Sequence, residues 1–274
     1  MHLPWIGDTL LDYGHVQVEL CVPPALYERQ SADGRFVLGK SHDMVETLAR
    51  MVADRPVERI FDVGVYKGGS IVLLYEGLHP QRLVGIDWNP GMPNALPEYC
   101  RHPDRKDAIG IYLGVNQSDQ AALGAICDTE FDGPLDLVID DASHFYFETR
   151  ETFRALFPRL REGGLYVIED WGWAHWPGDH WQKDRGGETF RNQPPLSNLL
   201  IELMLMCASK PGLVRNVTFN PTVIYVERGS VPMQPGFEPR EVYQNRGDPV
   251  TLLGERPAAM ALRFDSPTFT IRTR

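Results

Sequence analysis

Short apolar runs alternate with helically spaced apolar positions between residues 41 and 170. Each run is too short for a helix and is closed by a glycine or an acidic residue, which is typical of strands buried on both faces. Between the runs, apolar side chains recur three or four positions apart, as on the buried side of a helix. The pattern predicts strands at 57–65, 83–86, 108–113, 135–139 and 165–168, with helices at 42–52, 70–78, 119–127 and 148–160.

The residues that flank these elements predict where some of them begin and end. Ser41 precedes the first helix and can accept a hydrogen bond as its N-cap. Gly163 and Gly164 are predicted to close the helix at 148–160 as its C-cap. Further along, the sequence predicts a polar loop at 171–195, a helix at 198–208 and an antiparallel hairpin at 213–219 and 222–227.

Strands that alternate with helices in this way predict an α/β fold. We expect a doubly wound, Rossmann-like domain with a seven-stranded, mostly parallel sheet that a closing antiparallel hairpin completes. This domain is predicted to span 36–228, followed by a C-terminal extension at 229–274. Residues 1–35 are predicted to be irregular apart from one short strand, and to form an N-terminal segment or lid to which Tyr13 and Glu19 contribute.

Composition excludes several functional classes. The formal net charge is −10 and no basic stripe is present, so a duplex nucleic-acid partner, which needs many Lys and Arg contacts to phosphate, is not expected. No stretch approaches the roughly 20 apolar residues of a membrane helix, and the acidic balance would repel anionic membranes. Cys21, Cys100, Cys127 and Cys207 form no CxxC motif, which predicts reduced, buried thiols in a soluble, cytoplasmic protein.

A glycine-rich turn at 62–70 follows the first predicted strand and leads into a helix. Gly64 permits a tight turn, and Gly68 permits a ligand to approach the backbone closely. Asp87 ends the next strand, about 20 residues further on, where an acidic side chain can hold ribose hydroxyls. A dinucleotide fingerprint would place a second glycine where Tyr66 stands. The turn therefore predicts a nucleoside-type cofactor that is not a dinucleotide.

Residues 34–41 match a competing motif, the GxxxxGK[ST] pattern of a phosphate-binding loop. Such a loop directly follows a buried strand, whereas residues 27–33 are polar and uneven. Phe36, Val37 and Leu38 are also too large for a backbone that must wrap around a phosphate. We expect a chance match that leads into the cap of the next helix.

Two consecutive strands are followed by paired acids, Asp140-Asp141 and Glu169-Asp170. The carboxyl ends of parallel strands meet at one sheet edge, where ligands bind. Carboxylates gathered there repel one another. Either they cap helices and bond to loops, or a cation lies among them, and oxygen ligands suit Mg²⁺ or Mn²⁺. His144 follows Asp141 by three residues, and imidazole titrates near neutral pH, so we expect a general base there.

These motifs resemble those of a known family. Residues 61–70 are similar to the first motif of class I S-adenosylmethionine methyltransferases, and 138–144 with 163–171 resemble metal-dependent sugar O-methyltransferases of actinobacteria. The resemblance extends over roughly residues 36–228 and implies S-adenosylmethionine and Mg²⁺ or Mn²⁺ as cofactors. It implies that His144 is the base, that Asp141, Glu169 and Asp170 bind the metal, and that Asp62, Gly64, Tyr66, Gly68, Ser70, Asp87, Ser118, Asp119 and Asp140 bind the cofactor. Taken by itself, Asp140 is expected to have a structural role, and Lys67, beside Tyr66, is expected to line the cofactor.

The same resemblance implies methyl transfer to a sugar hydroxyl. Overall likeness to mycobacterial methyltransferases of methylmannose polysaccharide synthesis implies O-1 of a short, partly 3-O-methylated mannoside, although no substrate motif carries that choice. We expect a small carbohydrate acceptor and a homodimer, with neither nucleic acid nor membrane as a partner. Two alternatives stay open: a catechol-type O-methyltransferase, and a cephalosporin-hydroxylase-like relative that binds the cofactor without methyl transfer.

The polar loop at 171–195 is rich in aromatic residues. Indole rings can stack on the apolar faces of sugar rings, or they can pack the loop onto the domain, and the sequence does not choose between these roles. His175 and His180 are weak candidates for a second metal site, because their spacing in a loop is not typical of a metal motif. The tryptophans concerned are Trp171, Trp173, Trp176 and Trp181.

Overall fold

The computed structural model describes residues 1–91, 95–178, 181–182 and 193–253. Helices and strands alternate through much of this part of the chain, as the apolar pattern predicts. In chain order they are β1 Trp5–Ile6, β2 Leu10–Asp12, β3 Gln17–Leu20, α1 Ala25–Glu28, β4 Arg35–Leu38, α2 His42–Val52, β5 Arg59–Val63, α3 Gly69–Leu78, β6 Arg82–Asp87, α4 Leu96–Arg101, β7 Ile109–Leu113, α5 Gln120–Glu130, β8 Leu135–Asp140, α6 Tyr146–Leu156, β9 Leu160–Glu169, α7 Ser197–Ser209, β10 Val214–Phe219, β11 Val223–Arg228 and α8 Pro239–Val242.

Seven strands form one sheet, in the order β10-β11-β9-β8-β5-β6-β7. β5, β6 and β7 pair in parallel, whereas β11 pairs antiparallel with both β9 and β10. Along the chain, β6 and β7 are added on one side of β5, and β8 and β9 are then added on the other side. The predicted doubly wound α/β fold with a closing hairpin is thus confirmed. Every residue of β8 is buried, which is expected of a strand covered on both faces.

The chain divides into two compact units. The first contains the described residues of 1–115 together with 128–136, and the second contains 116–127 and those described from 137 onward. In the first unit, α3 is buried on nearly all sides, as is typical of an enclosed helix. In the second, the Phe153 ring stacks on Phe157 and meets Tyr166 edge-on. The division at residues 35 and 228 stays a prediction.

No helix among the described residues has the length and hydrophobicity needed to cross a membrane. The four cysteines are free thiols, as predicted. Cys21, Cys100 and Cys127 are buried, whereas Cys207 is half-buried. Burial raises the pKa of the Cys100 thiol to about 12, so this thiol stays protonated at neutral pH.

The N-terminal segment is more regular than its sequence predicts. Within residues 1–35 lie β1, β2 and β3, which join β4 in a separate four-stranded sheet. Strands of two to four residues allow too few alternations to be recognised from the pattern. Glu19 pairs with Arg29 and Arg35 within this segment, and the Tyr13 hydroxyl donates to the main chain of His2 over 3.2 Å. The lid role stays a prediction.

The phosphate-loop pattern at 34–41 does not form a loop around a ligand. Its central residues are β4, which pairs in parallel with β3, and Phe36 is almost fully buried. Ser41 is the N-cap of α2, where its side chain accepts a hydrogen bond from the Met44 amide over 3.3 Å. The motif is therefore a chance match that ends in a helix cap.

The predicted C-cap at Gly163 and Gly164 is wrong. The helix ends at Leu156, and a short 3₁₀ turn carries Pro158. Because proline has no amide hydrogen and its ring clashes with the carbonyl four residues before it, Pro158 interrupts the helical hydrogen bonds at this point. Both glycines lie inside β9.

A buried polar cluster fixes the end of β8. The buried carboxylate of Asp140 accepts a hydrogen bond from the Tyr166 hydroxyl over 2.8 Å and one from the Gln117 amide over 3.3 Å. Gln117 in turn accepts from the Ser143 main-chain amide over 2.8 Å. Burial, and next the charge of Asp140, raise the pKa of Tyr166 well above its usual range. The phenol therefore keeps the proton that it donates.

Gly69→Ala tests the contact between α3 and β4. A Cβ atom at residue 69 would lie 2.3 Å from the main-chain oxygen of Val37, so we expect a loss of about 1–3 kcal/mol or more in the free energy of unfolding. Gly124→Ala is the control, because its Cβ would meet only the side-chain end of Arg159. This variant should be as stable as wild type or up to about 1 kcal/mol more so. Equal stability of the two variants in urea would contradict the packing described.

Tyr166→Phe tests the buried cluster through alkaline pH. The pKa of Tyr166 in the folded state is raised above the ordinary value of about 10, so above that pH the folded state binds more protons than the unfolded chain. Stability should therefore fall as pH rises toward about 11, by up to about 1.4 kcal/mol per pH unit from this residue.

Urea unfolding between about pH 8 and about pH 11 should show this fall in the wild type and a shallower one in Tyr166→Phe. The variant should also lose about 1–3 kcal/mol at neutral pH, because Asp140 loses a donor. Tyr27→Phe, on an exposed side chain, should keep the wild-type slope. A shallower slope in both variants would refute the assignment to Tyr166.

Candidate active site

The glycine-rich turn at 62–70, called here the donor turn, has a left-handed backbone at three positions. Gly64 has φ +107°, Gly68 has φ +83° and Tyr66 has φ +46°. At Gly68 a Cβ atom would also press against the Leu96 side chain, 3.3 Å away. The absence of a side chain at Gly68 thus leaves room for Leu96. The helix α3 begins at the next residue, so the unpaired amide groups of its first turn lie at the donor turn.

Asp87 holds the donor turn from the end of β6. One oxygen of its carboxylate accepts from the Tyr66 amide over 2.7 Å, and the other accepts from the Asn89 amide over 2.8 Å. A carboxylate offers about four lone-pair positions, so these two bonds leave capacity for ribose hydroxyls. The turn and Asp87 thus fit a nucleoside-type ligand.

Asp62 and Ser70 meet inside the donor turn. The Ser70 hydroxyl donates to the buried Asp62 carboxylate over 2.7 Å, which fastens the first turn of α3 to the end of β5. Ser118 and Asp119, predicted to face the cofactor, lie directly before α5. The Ser118 hydroxyl donates to Asn116 over 2.9 Å, and Asp119 accepts from the Ala122 amide over 3.0 Å. Cofactor contacts by these four residues stay predictions.

Lys67 is engaged differently from its predicted place along the cofactor. Its side chain is buried, and its ammonium donates to the main-chain oxygens of Leu26, at 2.5 Å, and Arg29. The sequence does not show which way a lysine side chain turns at a glycine-rich loop, and a cofactor contact of Lys67 stays a prediction. Lys67 ties the N-terminal segment to the donor turn.

Three side chains at the ends of β8 and β9 come together. Asp141, His144 and Asp170 each offer a ligand atom, and these atoms lie within 4.8 Å of one another. His144 Nε2 lies 3.8 Å from Asp141 Oδ1. Glu169, predicted as a ligand, is buried and is not in this group. Its metal role stays a prediction. Two carboxylates and an imidazole fit a divalent cation.

His144 is held on two sides. Its Nδ1 lies 3.3 Å from the main-chain oxygen of Glu169, and because a carbonyl oxygen can only accept, this contact requires a hydrogen on Nδ1. Nε2 of the neutral imidazole is then the atom with a free lone pair. The Trp173 ring packs against the imidazole, with 4.2 Å between ring centres. This arrangement leaves Nε2 as the atom that can accept a proton.

The candidate site carries unusual backbone strain. His144 has φ +58° and Asp170 has φ +56°, in the left-handed region that few residues other than glycine adopt, although Asn, Asp and His do so more often than the rest. Tyr66 of the donor turn is a third such residue, among five non-glycine cases in the described chain. Such strain costs about 1–3 kcal/mol per residue and persists where the surroundings impose it, most often at functional sites.

The tryptophans divide into two groups. Trp173 contacts Trp181 at 4.8 Å between ring centres, and Trp181 contacts Trp176 at 5.4 Å, so these three rings form a connected row that Trp173 joins to His144. Trp171 instead donates to the main-chain oxygen of Asn220 over 2.8 Å, which packs the loop onto the hairpin. Sequence reasoning did not foresee the contact of Trp173 with His144. The sequence did offer one signal: Trp173 follows Asp170 by three residues, as His144 follows Asp141.

The predicted second metal site gains no support from His175. Its Nε2 lies 2.8 Å from the Ser197 hydroxyl, and its ring lies beside that of Trp171. His180, the other residue of this prediction, lies outside the described residues. His175 is thus part of the packing between the loop and α7.

Residues 61–171 match a family model described as a methyltransferase domain. Demethylmacrocin O-methyltransferase of Streptomyces fradiae is 56% identical over 135 residues, which cover 47% of this chain and 31% of that protein. L-olivosyl-oleandolide 3-O-methyltransferase of Streptomyces antibioticus is 51% identical over 132 residues, covering 47% of this chain and 32% of that protein. The match thus spans less than a third of either relative's length.

Solved structures resemble this chain as well. The MycE methyltransferase from the mycinamycin biosynthetic pathway, in complex with Mg, SAH and mycinamycin VI, is 26% identical, with a TM-score of 0.52 over 68% of this chain and 49% of that chain. A crystal form of MycE with Mg and SAH gives a TM-score of 0.50 at the same identity and coverage. The chain therefore has the Rossmann-like fold of a methyltransferase, and its similarity to methyltransferase domains covers the donor turn, Asp87 and the acidic cluster.

Proposed function

We propose that this protein transfers the methyl group of S-adenosylmethionine to a sugar hydroxyl with the help of a divalent cation. The observation that carries the proposal is the group formed by Asp141, His144 and Asp170, whose ligand atoms lie within 4.8 Å of one another. Relatives whose names contain olivosyl and rhamnosyl groups support a sugar acceptor. MycE, which binds Mg and SAH, supports both cofactors.

Asp141 and Asp170 are the residues that would hold the cation. Mg²⁺ commonly takes one or two carboxylates and keeps several waters, so two aspartates are enough and His144 is left for proton transfer. When bound there, the cation lowers the pKa of an acceptor hydroxyl and orients it. Glu169, which belongs to the predicted ligand set, is proposed as a further carboxylate ligand.

His144 would take the acceptor's proton at Nε2. The main-chain oxygen of Glu169 holds Nδ1 in its protonated form, so Nε2 is the accepting atom. The Trp173 ring covers one face of the imidazole and restricts its rotation. General base catalysis of this kind contributes about 100-fold to 10,000-fold in rate.

The donor turn would hold the nucleoside end of S-adenosylmethionine. Asp87 would accept hydrogen bonds from the ribose hydroxyls while keeping its bond to the Tyr66 amide. The row formed by Trp173, Trp181 and Trp176 would stack on the acceptor's sugar ring. O-1 of a short, partly 3-O-methylated mannoside is the acceptor we propose, and a homodimer is the proposed assembly.

His144→Asn tests the base. Asparagine tolerates the left-handed backbone that His144 adopts, so the variant loses the imidazole without added strain. We expect turnover to fall about 100-fold to 10,000-fold while SAH affinity is unchanged, measured by labelled-methyl transfer to short, partly 3-O-methylated mannose oligosaccharides with a free O-1 hydroxyl. His79→Asn is the matched control, because His79 also has a left-handed φ, +49°, at the exposed end of α3.

The control variant should retain wild-type turnover. Near-wild-type turnover by His144→Asn would remove the base assignment. A chelator should abolish transfer by the wild type and added Mg²⁺ should restore it, whereas Asp141→Asn should need a higher Mg²⁺ concentration. Transfer that persists in the chelator would exclude a role for the cation.

Asp87→Asn tests the donor site. The amide side chain keeps one acceptor oxygen but loses the charge, and a hydrogen bond to a charged group contributes about 1.5–3 kcal/mol. We therefore expect the Kd of SAH, measured by calorimetry, to rise about tenfold or more. Asp132→Asn, on a mostly exposed side chain, should leave the Kd unchanged. Equal binding by the Asp87 variant and wild type would place the donor elsewhere.

A further inference from the structure

The donor turn contains a buried positive charge, the ammonium of Lys67. Its side chain is only 7% exposed. Nζ donates to the main-chain oxygen of Leu26 over 2.5 Å and to that of Arg29, and it lies 5.1 Å from the centre of the Tyr66 ring. A cation taken out of water needs such partners. Lys67 therefore binds the residues around α1 to the turn.

Ser31 makes a second connection between the same two segments. Its buried hydroxyl donates to the main-chain oxygen of Lys67 over 2.6 Å, and its oxygen accepts from the Val37 amide over 2.9 Å. One hydroxyl thus joins the main chain of the donor turn to β4. Both the main chain and the side chain of Lys67 are therefore hydrogen-bonded to the N-terminal segment.

The backbone of β4 provides a third contact. Gly69 lies so close to this strand that a Cβ atom would be 2.3 Å from Val37 oxygen and 2.8 Å from Leu38 Cα. On the other side of the turn, Asp87 holds the Tyr66 amide. The donor turn is therefore fixed from two directions, by β6 and by residues 26–38.

We propose that Lys67 is a positioning residue for the methyl donor, acting through the conformation of Tyr66 and Gly68. This inference rests on the proposed function. Tyr66 is held at φ +46°, a conformation that a non-glycine residue leaves unless its surroundings impose it. Without the hydrogen bonds of Lys67 the donor turn samples other conformations. The affinity for the methyl donor then falls in proportion to the fraction of protein molecules whose turn has the conformation that binds it. Residues 26–37 thereby become part of the donor site without touching the donor.

The test is the Kd of SAH, measured by calorimetry, for the wild type, Lys67→Met and Lys67→Arg. Methionine has a similar length but no charge or donor. If about a tenth of Lys67→Met molecules hold the competent turn, the Kd should rise about tenfold. The KM for S-adenosylmethionine should rise equally, with kcat at saturating donor unchanged. Lys67→Arg keeps the cation and should recover most of the affinity.

Arg228→Met is the matched control. Arg228 is also a buried cation that donates to main-chain oxygens, those of Leu213, Gly229 and Val231, but it lies outside residues 61–171, which match the methyltransferase domain model. Its loss should lower the thermal unfolding temperature without changing the Kd of SAH. A rise in Kd equal to that of Lys67→Met would show general destabilisation and overturn the inference.

The remaining outcomes separate this inference from the proposed function. Wild-type affinity in Lys67→Met overturns the inference alone, whereas failure of the wild type to bind SAH overturns both. If Lys67→Met does not fold, Ser31→Ala removes the second connection with a smaller change and should raise the Kd by a few-fold. Unchanged affinity in a folded Ser31→Ala would then overturn the inference.

Discussion

The candidate active site depends on the buried carboxylate of Asp140. A carboxylate taken out of water is tolerated only where donors surround it, and the Tyr166 hydroxyl and the Gln117 amide meet that need. These bonds join the end of β8 to β9 and to the segment that precedes α5. Asp141 follows Asp140 directly, and Asp170 follows β9, so the spacing of the possible cation ligands is set by a group that need not touch the cation.

Much of the fold could be predicted because buried parallel strands leave short, uninterrupted apolar runs. β5 and β8 are examples, and the antiparallel hairpin of β10 and β11 was also predicted. The pattern could not reveal β1 and β2, which are two and three residues long. It also misassigned Gly163 and Gly164, because glycine ends helices and is equally found inside strands that bend.

The chemistry of the candidate site was visible in the sequence, since Asp141, His144 and Asp170 each follow a strand end. Which groups meet was not, because burial and side-chain direction come from packing over long sequence separations. Lys67 shows this best: its position suggested a ligand contact, whereas its ammonium turns toward Leu26 and Arg29. Trp173 is a second case, since only the folded loop brings its ring onto His144.

The central claim is that this chain adds a methyl group to a sugar hydroxyl with the help of a cation near Asp141, His144 and Asp170. The most direct measurement is the mass of acceptors after incubation of the protein with S-adenosylmethionine, in a mixture of mannosides and catechols, with Mg²⁺ and with a chelator. The account predicts mannosides heavier by one CH₂ group, formed only with Mg²⁺. A gain of one oxygen atom, methylation of catechols alone, or equal product in the chelator would contradict it.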